Sequence, residues 1–200
     1  MQYDFIEIGT SDFDTILETC PDNSIGLSVD PVLYYLDRLP SKPQVHKLLS
    51  AISDIDGFTN IFYVPEDIVS KYNLPWWVRG CNSINSYHPT VVTLLKSAGV
   101  EPSTAFVSKK IPQYSMPTLL QMYQVESCTV LKVDTEGHDC VILSSYLKAI
   151  HEGITEPAKT IIFESNVLTN RDTVTATINR FKLIGYSIKE QNDNTILVRV

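Results

Sequence analysis

The 200-residue chain predicts an α/β fold: a mostly parallel sheet with helices on both faces and an antiparallel hairpin at the C-terminal end. Three observations carry that expectation. Short apolar runs alternate with helix-like stretches along most of the chain, the pattern of successive βα units. The last two runs, "YSIKEQ" (186–191) and "TILVRV" (195–200), are joined by "NDN", too short for a parallel crossover, so they must pair antiparallel. Ionisable and polar residues gather where strands end, at Glu7 to Asp14, Asp30, Ser53 to Asp56, Asp134 to Asp139, and Glu164 to Asn166. In such sheets the ligand sits beyond the carboxyl ends of the strands, where strand order reverses. The polar tips therefore belong to one shared site.

Taken in order, "DFIEIG" (4–9) is a strand ending in glycine, and "FDTILETC" (13–20) follows as a helix. "IGLSVDP" (25–31) is a second strand closed by Pro31, with "VLYYLDRL" (32–39) helical after it. "QVHKLLSAIS" (44–53) reads as a third strand, although its periodicity also fits a helix. "DGFTNIFYVP" (56–65) is a turn signal followed by a hairpin arm. Residues 66–117 differ in character, with Pro75, Pro89, Pro102, Pro112, Pro117, both tryptophans and the polar cluster "GCNSINSYHPT" (80–90). Loops of that length in compact domains are functional or disordered, and the aromatics favour an ordered, irregular insertion on the substrate side, holding one helix near 88–98. Beyond it come "TVLKVD" (129–134), a helix around 139–151, "KTIIFES" (159–165), a helix at 171–184 and the closing hairpin. Residues 1–200 read as a single domain.

Composition narrows the partners. A hydrophobic content of 44% supports one sizeable core. The net charge of −7 disfavours nucleic acid, as does the lack of a Lys/Arg stripe. No run approaches the ~20 apolar residues that span a bilayer, and "MQYDFIEIG" has no basic n-region ahead of an apolar stretch. Cys20, Cys81, Cys128 and Cys140 are irregularly spaced, with no C-x-x-C pair, so neither a zinc site nor a disulfide framework is expected. Reduced thiols in a cytoplasmic protein are the default.

The first strand-to-helix turn, "EIGTSDFDT" (7–15), limits the ligand. A dinucleotide site asks for G-x-G-x-x-G, whereas this turn has the single Gly9 and the acids Asp12 and Asp14. Carboxylates repel a pyrophosphate; a ligand with cationic groups, such as S-adenosylmethionine with its sulfonium and ammonium, suits the turn better. Glu7, Gly9, Thr10, Ser11 and Asp12 are thus expected on the cofactor. Asp30, with Pro31 beside it, lies about 20 residues past the glycine, where an acid accepts hydrogen bonds from both ribose hydroxyls. Ser53 and Asp54 either meet the adenine amino group or simply open the next turn.

Together "FIEIGTSDFDT", "GLSVDP", "SDIDGFTNIFYVP", "GCNSINSYHPT" and "LKVDTEGHD" (131–139) resemble the FkbM-type S-adenosylmethionine-dependent methyltransferases, in order and across nearly the whole chain. "LKVDTEGHD" is the most distinctive of them. The resemblance implies a three-layer, Rossmann-like class I methyltransferase sheet, S-adenosylhomocysteine as product, and O-methylation of a sugar, glycan or polyketide-like hydroxyl. It also implies that Glu7, Gly9, Asp30 and Ser53 contact the cofactor and that Asp134 faces its methionine end. Such proteins often carry sequence before the first strand, which here begins near residue 3. A domain cut from a longer chain, with glycosyltransferase domains as covalent partners, is one expectation.

Methyl transfer to an alcohol is an in-line displacement that depends on positioning and on removal of the hydroxyl proton. His138 is the candidate base, with Asp134 or Glu136 to orient it; alternatively it only begins a helix. A second route places Mg²⁺ on Asp134 and Glu164, with Asp139 or Glu136, to acidify the acceptor. Asn82, Ser83, Asn85, His88 and Lys132 are candidate acceptor contacts, and Trp76 or Trp77 (Trp77 by preference) a stacking surface for a sugar face. Two rival readings remain: a glycosyltransferase using D-x-D, matched by "DFD" (12–14) and "DID" (54–56), and a non-catalytic module on the same fold.

Overall fold

In the computed structural model, which describes residues 1–200, the apolar runs assemble into two sheets. The chain begins with β1 (Gln2–Ile8), a single helical turn α1 (Ile16–Thr19), β2 (Gly26–Asp30), α2 (Leu33–Arg38), β3 (Val45–Leu49), β4 (Ala51–Ser53) and β5 (Gly57–Tyr63). Next come α3 (Glu66–Lys71), a 3-10 turn (Trp76–Gly80), α4 (Pro89–Ser97), α5 (Pro102–Ala105) and β6 (Val107–Ser115). It closes with α6 (Met116–Met122), β7 (Ser127–Val133), α7 (Asp139–His151), β8 (Thr160–Glu164), α8 (Arg171–Lys182), β9 (Tyr186–Gln191) and β10 (Asn194–Arg199).

The main sheet has the order β3-β2-β1-β7-β8-β10-β9. β1, β2, β3, β7 and β8 are parallel, and β10 runs antiparallel to both its neighbours. This is the expected mostly parallel sheet with an antiparallel C-terminal hairpin. Strand order reverses between β1 and β7, so the tips of β2, β1 and β7 flank the switch point. Ile8 is in register with both Val29 and Val133, which brings Gly9, Asp30 and Asp134 to one edge.

The strand pleat sorts the side chains. Ile6, Leu131, Ile161 and Phe163 pack with Leu143, Tyr146 and Leu147 of α7 and Phe181 of α8, all essentially inaccessible to solvent. Burial of each such side chain contributes about 1.5–3 kcal/mol. Phe5 points the other way, onto Leu17, Leu36 and Leu39. Lys47 of β3 lies along that face and donates to the carbonyls of Leu36 and Leu39 (2.9 and 2.6 Å), satisfying the open C-terminal end of α2.

The remaining differences from expectation have physical causes. The stretch 44–53 is two strands, not one: after Ser50, β4 leaves the main sheet and pairs parallel with β6. The arm at 56–65 does not fold back on its neighbour but pairs antiparallel with β6, giving a second sheet ordered β4-β6-β5. Residues 66–117 are therefore not irregular. They supply α3, α4, α5 and β6 around their own core of Val69, Val78, Val91, Leu95 and Phe106, with Tyr87 stacked on Phe106 at 4.3 Å. Pro112 conceals β6 in the sequence, since proline argues against an interior strand; β4 pairs only from Gln113 onward, so Pro112 sits at the margin of that ladder. The helix at 13–20 shrinks to one turn because Ser11 and Asp14 are left-handed, with φ of 50° and 56°, and cannot extend it. No helix is long and apolar enough to cross a membrane.

Candidate active site

A cleft opens at the switch point. Its walls come from the tips of β1 (Gly9, Ser11), β2 (Asp30, Pro31), β4 (Ser50 to Ile52) and β7 (Asp134, Thr135), with His138 and the Gly80–Ile84 segment over it. Its apolar lining includes Ile52, Ile61 and Ile84. Elsewhere Ser11 Oγ, Ser50 Oγ and Asn82 Oδ1 are buried without a hydrogen-bond partner. Buried polar atoms are nearly always paired, so this wall offers unfilled positions to a polar ligand.

Asp30 is the central acid. It is 3% exposed, and its two oxygens accept from the backbone N–H of Ser11 (2.8 Å) and Val32 (2.7 Å). Burial pushes its carboxyl up to about 7 despite those donors. Gly9, at φ +81°, lets the first turn press against β7, since a Cβ there would overlap the Asp134 carbonyl oxygen. Asp134 faces the cleft from the other side, raised to about 6, mainly by burial.

His138 opens α7. Its Nδ1 lies 3.0 Å from Asn85 Oδ1 and its Nε2 2.9 Å from Ser53 Oγ. With Nδ1–H donating to Asn85, Nε2 is the free base of a neutral imidazole when the single Ser53 hydroxyl proton points to the ring and not to Asp54 Oδ1 (3.1 Å); burial lowers the ring's pKa below the ordinary value, in the same direction. Asn85, not Asp134 or Glu136, is thus the residue that orients the ring. Glu136 is turned away, with an oxygen 3.1 Å from His88 Nε2. Ser53 is bound to His138 and Asp54 at the edge of the cleft, not on its apolar part.

Several expected cofactor and acceptor contacts lie outside the cleft wall. Glu7 is fully buried behind the turn, where both oxygens accept from Ile16 N–H (3.1 Å each) and Lys132 Nζ sits 3.0 Å away. The register pairs Glu7 with Lys132 across β1 and β7 on the same face, and Lys132 ties down the turn by donating also to the Asp14 carbonyl (2.7 Å). Asp12 receives Arg38 (2.7 Å) and Arg79 (3.2 Å), so its charge is already matched. Thr10 is buried away from the cleft. Trp77 packs against the second core, whereas Trp76 is exposed, edge-on to Phe13. Ser83 donates to the Glu136 carbonyl (3.2 Å).

For a hard cation, Asp134, Glu136 and Glu164 converge, with one oxygen from each within 4.8 Å of the others. Burial and the neighbouring carboxylates push Glu164 up to about 9. Asp139 does not join them, because its buried carboxyl is held by Thr135 Oγ1 (3.0 Å) and Glu164 N–H (3.2 Å). Neither D-x-D copy presents two free carboxylates. Asp12 is ion-paired, and Asp56 is taken by Ser115 N–H and Thr118 Oγ1. The cleft residues that sequence reasoning missed include the apolar Ile52, Ile61 and Ile84; Ile52 and Ile61 reach the cleft through the second sheet, and Ile84 follows Ser83, which bridges to Phe62 of β5.

No model of a known protein family matches this chain, and no curated protein matches it in sequence.

Proposed function

We infer that this chain is an S-adenosylmethionine-dependent O-methyltransferase acting on a hydroxyl of a sugar or glycan, on a class I methyltransferase sheet. The observation that carries the reading is Asp30, a buried carboxylate on the cleft at the tip of β2, held by two backbone N–H groups and with lone pairs left for ribose hydroxyls. A dinucleotide fits less well. Its pyrophosphate needs the free N–H groups of the helix after β1, and here the Glu7 carboxylate already occupies Ile16 N–H. The apolar positions Ile52, Ile61 and Ile84 suit an adenine ring, with Ser50 and Asn82 as polar partners. Asp134 suits a cationic group beside Gly9.

The cofactor, when bound, supplies a methyl group activated on a sulfonium. The chain's own residues do the rest. Asp30 and the unpaired Ser11, Ser50 and Asn82 atoms fix the cofactor's orientation, and the walls exclude water. An acceptor hydroxyl replaces that of Ser53 at His138 Nε2, which takes its proton while Asn85 holds Nδ1. The exposed Trp76 is the candidate stacking surface for a sugar face. Mg²⁺ held by Asp134 and Glu164, with Glu136, would instead acidify the acceptor directly; activity abolished by chelation and retained in His138→Ala would favour that route.

The reading sets a sign for pH. Asp30 must be ionised to accept from two hydroxyls, and its carboxyl titrates near 7 in the free protein. Affinity for S-adenosylhomocysteine should therefore rise with pH through 7 and then level off, being about tenfold weaker at pH 6 than at pH 8. Asp30→Asn should bind weakly and with a flat profile between those values. A wild-type profile that falls with rising pH would remove Asp30 from the ribose.

A further inference from the structure

Cys81, His88 and Glu136 reach one point from three places: the end of the 3-10 turn, the residue before α4, and the turn after β7. The Cys81 sulfur, one ring nitrogen of His88 and one carboxylate oxygen of Glu136 all lie within 4.8 Å of one another. Cys81 and His88 are 7% and 8% exposed. An apolar core would be a cheaper filling for such a place, since buried ionisable groups cost free energy unless fully satisfied. They are only partly satisfied: His88 Nε2 faces Glu136 (3.1 Å) and the Cys81 thiol has a long contact to the Trp77 carbonyl (3.8 Å), but His88 Nδ1 is buried with no hydrogen-bond partner. Glu136 is also held in a left-handed conformation, φ +54°, with its carbonyl fastened by Ser83. Non-glycine residues kept in that region by their surroundings cluster at functional sites.

We propose that Cys81, His88 and Glu136 bind a zinc-class divalent cation, with three protein ligands and one open position. Thiolate, imidazole and carboxylate together match the ligand preferences of Zn²⁺, with bonds of about 2.3 Å to sulfur and about 2.0–2.2 Å to nitrogen and oxygen. Bonds of that length around a tetrahedral centre put nitrogen and oxygen ligands roughly 3.3 Å apart, close to the 3.1 Å between His88 and Glu136. The thiol proton leaves to solvent as the metal–sulfur bond forms. Mg²⁺ avoids sulfur and is served by the all-oxygen set Asp134, Glu136 and Glu164, which shares one residue with this site. A cation here pins the segment carrying Asn82 and Asn85 to the tip of β7, and so keeps Asn85 on His138. The proposal does not depend on which cofactor fills the cleft.

The test is titration of the chelator-treated chain with Co²⁺, followed by Zn²⁺. One equivalent of Co²⁺ should produce visible bands of tetrahedral cobalt and a thiolate-to-cobalt charge-transfer band in the near ultraviolet. Zn²⁺ should displace both and raise Tm. Cys81→Ser should lose the charge-transfer band while Cys128→Ser keeps it, and His88→Gln should lose stoichiometric Zn²⁺ binding. Glu136→Gln, nearly isosteric, should lose Zn²⁺ binding without unfolding, which covers failure of the cysteine variant to fold. Absence of any band at one equivalent, or a band that survives Cys81→Ser, overturns the proposal. So does binding abolished by Glu164→Gln and indifferent to His88→Gln, which assigns the ion to the all-oxygen set.

Discussion

Gly9→Ala is expected to lower the stability of the chain by about 3 kcal/mol or more and to abolish cofactor binding. The left-handed backbone alone costs an alanine about 1–2 kcal/mol. The larger contribution is steric, because the new methyl overlaps the Asp134 carbonyl oxygen, a backbone atom that moves only if β1 and β7 separate. Those strands pair in register to Ile8 and Val133, and Asp134 N–H donates to the Ile8 carbonyl (2.9 Å), so the displacement reaches the centre of the sheet. Thermal unfolding followed by circular dichroism should show Tm lower by roughly 6–12 °C. Gly99→Ala is the control. Gly99 is also left-handed, φ +71°, but a Cβ there meets open space, so only the backbone cost of about 1–2 kcal/mol remains. Equal losses in the two variants would mean that the close approach of the first turn to β7 does not matter.

The second large effect is on catalysis. His138→Ala should reduce methyl transfer to the acceptor by about 10²–10⁴-fold, the range for loss of a positioned general base. Affinity for S-adenosylhomocysteine should change little, because Asp30, the proposed ribose contact, lies on β2 and is untouched. The contrast is informative because His138 touches both regions: its Nε2 faces Ser53 from the second sheet and its Nδ1 faces Asn85 from the segment above the cleft. A variant that loses cofactor affinity and rate in equal measure would make His138 a wall of the cleft and not the base.

Local patterns were legible and long-range ones were not. The strand tips carrying Gly9, Asp30 and Asp134 could be read because each belongs to an apolar run that ends within a few residues, and the parallel register then brings them together. The closing hairpin was legible for the same reason, through a linker too short for any alternative. The second sheet was not, since β4 and β5 find their partner β6 more than 40 residues downstream, in a strand interrupted by Pro112. Asp12 reads as a free anion in sequence, but Arg38 and Arg79 arrive from distant elements and match it. Glu7 looks like a ligand contact, yet one-residue register logic would have placed it beside Lys132. Asn85, the partner of His138, lies 53 residues away from it, and no spacing rule links them. The convergence of Cys81, His88 and Glu136 is invisible for that reason too.

We propose that the cleft takes S-adenosylmethionine through Asp30. The most direct measurement is isothermal titration of the chain with S-adenosylhomocysteine at pH 8, with NAD⁺ and a UDP-sugar as comparison ligands and Asp30→Ala as comparison protein. Two charged hydrogen bonds to the ribose contribute about 1.5–3 kcal/mol each. The account therefore predicts one-to-one binding of S-adenosylhomocysteine, weakened by roughly 100-fold or more in Asp30→Ala, with neither comparison ligand bound as tightly. Failure of S-adenosylhomocysteine to bind, binding that ignores Asp30→Ala, or tighter binding of NAD⁺ or the UDP-sugar would contradict it.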